Sequence, residues 1–254
     1  MSFMLDGLHL ITLTSVIWFP LSVLSYLSMH YTRILGYRLT VLLGIIGVPL
    51  HEMGHLLTAV LMNHKIINFA LFKPSIDGSL GYVSHSYKVT WYAPFANLLI
   101  GLAPIFTGVI GFIGLTMWLR PDLLEAVRAI SQHVFSLKEL ASVIASFMAT
   151  LFTQGGIVKT GAWIVASFSI LLFCVPSKAD FQGCRAGVLT LLCIGVISFG
   201  FFPEYLEFVF SVLEPYLVLV ASVLWSILVL MSVLFGVLLL GRYLIKAKVN
   251  AVQG

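Results

Sequence analysis

Long apolar stretches are the feature that most constrains this chain. A helix needs about 20 mostly apolar residues to cross a bilayer, and the sequence contains several stretches of about that length. Composition agrees, because 60% of the residues are hydrophobic and only 9% are charged, against about 25% charged residues in soluble proteins. So few charges cannot cover a water-soluble surface, which argues against a cytosolic domain, a disordered chain and a nucleic-acid-binding protein. The sequence therefore predicts a protein embedded in a lipid bilayer.

The predicted fold is an all-α multi-pass membrane protein that forms a single integral membrane domain over residues 1–254. About six transmembrane helices are expected, at residues 8–28, 34–62, 91–118, 160–175, 185–202 and 216–244. The segment 137–153 is apolar but short for a span, so whether it crosses the membrane separately stays open.

Positive charge predicts the orientation, because short cytoplasmic loops collect Lys and Arg. The C-terminal tail carries Arg242, Lys246 and Lys248, whereas the loop expected at residues 202–215 carries three glutamates and no cation. With six spans, both termini are then cytoplasmic, although Arg33 and Arg38 fall on the outside. No Asn-x-Ser/Thr sequon occurs, which favours a bacterial inner (plasma) membrane.

The second predicted span contains the sequence His51-Glu52-Met53-Gly54-His55, an H-E-x-x-H motif. Positions i and i+4 share a helix face, so both imidazoles can bind one metal ion while Glu52 reaches a nearby water. Ionisable groups at bilayer depth cost about 2.5–3.5 kcal/mol each on insertion scales, so three of them need a compensating partner. Zinc is the metal expected for such a pair, and the alternative is two structural histidines hydrogen-bonded between helices.

A catalytic zinc ion needs a third protein ligand and one open position. The metzincin pattern is excluded, because Thr58 and Leu61 occupy the positions where that class has Gly and His. Asp180 is the favoured third ligand, because it follows the apolar run 170–175 and Pro176 would help to end that helix.

Two alternatives to Asp180 remain. Asp77 lies in the stretch Pro74-Ser-Ile-Asp-Gly, where turn chemistry explains an aspartate without any metal. A glutamate ligand, as in membrane metalloproteases of the prenyl-protein-processing type, would be Glu125 or Glu139.

These residues together resemble the site-2-protease-type intramembrane zinc metalloproteases, the M50 group. The likeness consists of H-E-x-x-H inside a span, a later aspartate, and between them a variant of the pattern G-P-x-x-N. That variant reads Ala93-Pro94-Phe95-Ala96-Asn97, so Pro94 and Asn97 match and Ala93 replaces Gly. The resemblance covers about residues 44–183, and near Asp180 it departs from the family, whose contiguous Asp-Gly pair is absent.

The resemblance implies a catalytic core over about residues 34–183 and one Zn²⁺ per chain, bound by His51, His55 and Asp180. It further implies that Glu52 is the general base and that Asn97 and Pro94 lie at the substrate, which would be a transmembrane protein. Asn97 has a simpler interpretation as well, a hydrogen bond to a neighbouring helix. A regulatory membrane partner or a homo-oligomer would fit the family.

The segment after the second span predicts a short β-hairpin. Residues 69–72 and 81–87 have strand character on either side of the turn-forming stretch 74–78. We expect this hairpin to dip into the membrane near the active site, where its edge strand could pair with an unwound substrate segment. His85 within it is interpreted as a surface or hydrogen-bonded histidine and not as a ligand.

Two other classes of function remain open at this point. A metal-binding membrane protein or transporter would place ionisable residues on several spans, whereas here they are concentrated on the second. A non-catalytic relative acting as a scaffold would not need the intact Glu52.

Overall fold

The computed structural model describes residues 2–75, 78–201 and 203–253, with fewer side chains described toward both ends of the chain. Its elements are helix α1 (Ser2–Leu61), strands β1 (Lys65–Ala70) and β2 (Tyr82–Ser86), and helices α2 (Ala93–Leu119), α3 (Leu124–His133), α4 (Leu137–Thr153), α5 (Ile157–Phe173), α6 (Lys178–Phe201) and α7 (Pro203–Gln253). The protein is therefore an all-α membrane protein with one small hairpin, as the sequence predicts.

Four helical segments in the described part of the chain are long and apolar enough to cross a membrane. They are Phe19–Leu61 in α1, the whole of α2, Lys178–Ile197 in α6 and Glu214–Gly241 in α7. Helices α4 and α5 have only 17 residues each and are not among the four. Helix is present at all six predicted places, but six separate crossings are not confirmed.

Helix α1 combines the first two predicted spans, and its break differs from the prediction. The sequence suggested an interruption at residues 29–33, whereas only Gly36 has non-helical angles, with φ 75° and ψ 166°. Glycine adopts a positive φ without steric cost, so the chain can bend at Gly36 while the polar residues before it stay helical. The hydroxyl of Thr40 donates to the Gly36 carbonyl at 2.9 Å, on the far side of the kink.

The sequence assigned the segment 202–215 to a loop, and this prediction was wrong for residues 203–215. Helix α6 ends at Phe201, and helix α7 begins at Pro203. Proline is tolerated in the first turn of a helix, and charges at positions 204, 207 and 214 lower the hydropathy of the segment without preventing a helix. Helix α6 likewise begins at Lys178, seven residues before the predicted span.

Helix α2 lies at the centre of the bundle, where it packs against α1, α5 and α6. Small residues allow the close approach that membrane helices need. A Cβ atom at Gly54 of α1 would lie 2.7 Å from the Thr107 hydroxyl oxygen of α2. A Cβ atom at Gly101 of α2 would lie 2.9 Å from the Asp180 carbonyl oxygen of α6. These two contacts bring the H-E-x-x-H turn of α1 and the start of α6 onto the same region of α2.

Strands β1 and β2 form the predicted hairpin. They pair antiparallel, with Lys65 opposite Ser86 and Ala70 opposite Tyr82. The first strand begins at Lys65 and ends at Ala70, earlier than the stretch 69–72 that the sequence suggested. The segment that joins the two strands packs on α1. Cδ1 of Leu80 and Cε2 of Phe72 lie 3.1 and 3.2 Å from the position that a Cβ atom would take at Gly44.

Candidate active site

Three potential metal ligands meet between α1 and α6. Nε2 of His51 lies 3.0 Å from Nε2 of His55. The carboxylate of Asp180 faces both rings, with Oδ2 at 3.4 Å from His51 Nε2 and Oδ1 at 3.1 Å from His55 Nε2. The two histidines are one helical turn apart on α1, and Asp180 comes from a point 125 residues further along the chain. The structure thus brings together the set that the sequence singled out.

The three residues are close enough together to bind one metal ion. Ligands at about 2.0–2.1 Å from a tetrahedral zinc lie about 3.3 Å from one another. The two Nε2 atoms are 3.0 Å apart and approach different oxygens of Asp180, at 3.4 Å for His51 and 3.1 Å for His55, and one ligand atom from each residue lies within 4.8 Å of the others. Two imidazole nitrogens and one carboxylate oxygen are a donor set that zinc accepts, and they leave a fourth position open.

Both histidines are oriented by backbone carbonyls. Nδ1 of His51 lies 2.6 Å from the Phe173 carbonyl oxygen, and Nδ1 of His55 lies 2.8 Å from the Ile100 carbonyl oxygen. Because a carbonyl only accepts, each Nδ1 carries a hydrogen, and each Nε2 is directed at the centre. This is the arrangement expected of metal-bound histidines. With both rings neutral, two lone pairs and a carboxylate would face one another, and a cation between them would be stabilising.

Asp180 lies in the first turn of α6 and not at the end of the preceding span, where the sequence analysis placed it. Its Oδ2 accepts a hydrogen bond from the Ser177 N–H at 2.6 Å, and its own N–H donates to the Ser177 hydroxyl at 3.3 Å. This reciprocal pair resembles a capping box. It fixes the carboxylate and leaves Oδ1 directed at His55.

Glu52 is buried, with 8% of its surface exposed, and lies beside the two histidines on α1. The hairpin covers it closely. A Cβ atom at Gly81 would lie 2.8 Å from Cγ of Glu52 and 3.0 Å from the Ala70 carbonyl oxygen. The backbone ahead of β2 therefore packs directly on the proposed general base.

An open cleft of about 1170 Å³ lies between α1, α2, the hairpin and the start of α6. Its lining includes the three potential ligands and Glu52. Asn97 of α2 is half-buried and also lines this cleft. Pro94 is not among the lining residues, and its carbonyl lies against Gly187 of α6. Of the two residues that the family resemblance places at the substrate, only Asn97 therefore faces the cleft.

The other candidate ligands lie elsewhere. Glu139 Oε2 lies 2.8 Å from Nδ1 of His133, and neither Glu139 nor Glu125 belongs to the ligand group. Asp77 lies outside the described residues. His85 is hydrogen-bonded to His64, with their Nδ1 atoms 3.1 Å apart, which agrees with its interpretation as a non-ligand.

Comparisons with models of protein families, with curated proteins and with solved structures found no match.

Sequence reasoning missed three partners of the ligands: Ser177 and the carbonyls of Ile100 and Phe173. The pattern Ser-x-x-Asp at residues 177–180 is a sequence signal for a capped helix start, and it could have identified Ser177. The two carbonyls have no side-chain signature of their own.

Proposed function

We propose that this protein is an intramembrane zinc metalloprotease of the site-2-protease type. Its reaction would be hydrolysis of a peptide bond within or near a transmembrane segment of a membrane-bound protein. The observation that carries the proposal is the meeting of His51, His55 and Asp180 beside the buried Glu52, in a cleft between apolar helices.

The donor set supports one zinc ion per chain, bound through the two Nε2 atoms and the Asp180 carboxylate. Zinc supplies a Lewis acid that polarises a carbonyl and acidifies water toward a pKa of about 7. Glu52 takes the proton from the attacking water on its carboxylate and gives it to the leaving amine. The water oxygen adds to the scissile carbonyl carbon, the C–N bond breaks, and one new carboxyl and one new amine result.

A helical substrate hides its carbonyls in hydrogen bonds to the residue four positions later. Cleavage therefore requires local unwinding, and we expect segments with Gly or Pro near the cleaved bond to be preferred. Tyr82, Val83 and His85 of β2 line the cleft, which supports the addition of an extended substrate segment along this strand. Asn97, on the α2 wall, can hydrogen-bond the substrate backbone.

The setting proposed for this reaction is a bacterial plasma membrane, with both chain termini and the mouth of the cleft in the cytoplasm. The charge distribution of the sequence supports this orientation. A regulatory membrane partner or a second copy of the chain would control access of the substrate. Impermeant thiol labelling of single cysteines introduced near each terminus, on intact cells, tests the orientation, and labelling from outside would contradict it.

The ligand set is tested by the zinc content of the protein purified in detergent. We expect about one zinc per wild-type chain, and loss of that zinc in His55→Ala and in Asp180→Ala. The matched control is His85→Ala, which removes a histidine of the same cleft that is outside the ligand group and should leave the zinc content unchanged. Retention of zinc in Asp180→Ala would refute the three-ligand site.

Proteolysis is tested with the protein in liposomes together with a tagged single-pass peptide that carries Gly-Pro in its apolar segment. Wild type should cleave it, whereas Glu52→Gln should keep its zinc and lose about 100-fold or more of the rate. Glu125→Gln, a carboxylate away from the site, should cleave normally. Equal cleavage by wild type and Glu52→Gln would remove the assigned role of the base.

A further inference from the structure

The carbonyl that orients His55 lies in the middle of a helix, where carbonyls are normally occupied. In an α-helix, the carbonyl of residue i accepts from the N–H of residue i+4. For Ile100 of α2 that residue is Pro104, which has no N–H to donate. The Ile100 carbonyl is thereby left free to accept from Nδ1 of His55, at 2.8 Å.

Another proline inside a helix shows the same relation. The carbonyl of Val16, four residues before Pro20 of α1, accepts from Nε1 of Trp225 in α7 at 3.0 Å. In both cases a side chain of another helix satisfies a carbonyl that proline has left without its helical donor. Membrane interiors favour this exchange, because no bulk water is present to satisfy such groups.

We propose that Pro104 is a positioning residue for the metal centre. By lacking an N–H, it reserves the Ile100 carbonyl for His55, which holds that ring with Nδ1 protonated and the Nε2 lone pair directed at His51 and Asp180. The inference rests on the proposed function, since it treats His55 as a zinc ligand. It assigns a role to a residue that contacts neither substrate nor metal.

The effect of adding an N–H at position 104 follows from this geometry. An alanine there would donate to Ile100 within the helix and compete with His55 for the same oxygen. Partners that orient a metal-bound histidine typically contribute 10- to 100-fold in metal affinity. We therefore expect zinc affinity to fall, whereas the helix itself should gain stability, because alanine is a far better interior helix residue than proline.

The test compares Pro104→Ala with the matched control Pro20→Ala, which removes the same kind of helix-interior proline from the Val16–Trp225 pair. Zinc affinity of each purified protein is measured by competition with a chelator of known affinity. We expect a roughly 10- to 100-fold weaker affinity in Pro104→Ala and no change in Pro20→Ala. An affinity within about twofold of wild type in Pro104→Ala would overturn the proposal.

A second variant separates the missing N–H from the shape of the proline ring. Lactic acid incorporated at position 104 gives an alanine-like side chain with a backbone ester, which also has no N–H, and should bind zinc as wild type does. Nitrogen-15 NMR of the zinc-free protein should show His55 protonated at Nδ1 in wild type and in the ester variant, and mixed tautomers in Pro104→Ala. If wild type itself binds no zinc, the proposed function fails. If all the variants bind zinc equally, only the role of Pro104 fails.

Discussion

Glu52 and Gly81 form the residue-level contact that should matter most for the rate of cleavage. A methyl group at position 81 would meet Cγ of Glu52 at 2.8 Å and two backbone carbonyls at 3.0 Å, so the carboxylate or the hairpin must shift. Gly81→Ala should therefore lower kcat by about tenfold or more, as part of the contribution of a general base is lost. Zinc content should not change, because the three atoms nearest to the added methyl group belong to Glu52, Ala70 and Leu71 and none belongs to a ligand.

The control for this substitution is Gly183→Ala, which also faces the cleft but where a Cβ atom meets nothing within 4 Å. It should cleave the single-pass peptide at the wild-type rate. Loss of zinc from Gly81→Ala, or an equal loss of rate in both variants, would mean that position 81 supports the site as a whole and not the base.

Of the residues in the site, the sequence could predict those that belong to a recognisable motif and few others. His51, Glu52 and His55 follow from one helical turn, and Asp180 followed from its place after an apolar run. Gly81 and Pro104 did not stand out, because their importance depends on which backbone or side chain packs against them. That information arises only when helices α1 and α2 and the hairpin come together.

At the level of elements, two histidines connect the strands of the hairpin, since His64 immediately precedes β1 and His85 lies in β2. Nδ1 of His64 lies 3.1 Å from Nδ1 of His85, so the pair can share one proton, and Tyr87 stacks on the His64 ring. Burial lowers the pKa of His64. Burial, followed by the nearby His64 and His55, lowers the pKa of His85.

This arrangement predicts that the hairpin loosens in acid. Both pKa values lie below the ordinary value of about 6.5, so below that pH the unfolded segment binds more protons than the native one and stability is lost as pH falls. Hydrogen exchange of the β2 amides, corrected for the intrinsic rate, should show less protection at pH 5.5 than at pH 7.5. Because other histidines lie near the hairpin, the comparison needs His85→Gln, which cannot gain the charge. An unchanged pH dependence in that variant would exclude the pair as the cause.

Elements were predicted well where the length of an apolar stretch determines their position, and poorly where a single residue determines their boundary. Hydropathy located helix at all six expected places, and the hairpin followed from its strand composition and turn residues. The kink at Gly36 needs a positive φ that hydropathy does not report, and the start of α7 at Pro203 was hidden by three glutamates that a helix accepts. Both errors concern boundaries, which apolar content alone does not define.

For the whole molecule, the end of the bundle away from the cleft is held by one buried arginine. Arg120 follows α2 about 30 Å along the helix axis from Ile100, and its side chain is fully buried. Its guanidinium donates to the Asp122 carboxylate at 2.7 Å, to the Thr160 hydroxyl at 2.7 Å and to the Leu151 carbonyl at 3.2 Å. These bonds connect the ends of α2 and α4 with the start of α5.

Replacing Arg120 with Met should therefore weaken the fold without altering the metal centre. Asp122 is partly exposed, but the buried Thr160 hydroxyl and Leu151 carbonyl lose their donor, at about 1–3 kcal/mol each. A loss of about 3 kcal/mol corresponds, for a chain of this size, to a fall of about 6–12 °C in thermal midpoint. The exposed Arg128→Met on α3 is the control and should leave the midpoint unchanged. Zinc per folded chain should equal that of wild type in both variants. If Arg120→Met lost zinc at an unchanged midpoint, the contacts of Arg120 would support the metal centre at the other end of the bundle. That result would contradict the prediction that Arg120 contributes to stability alone.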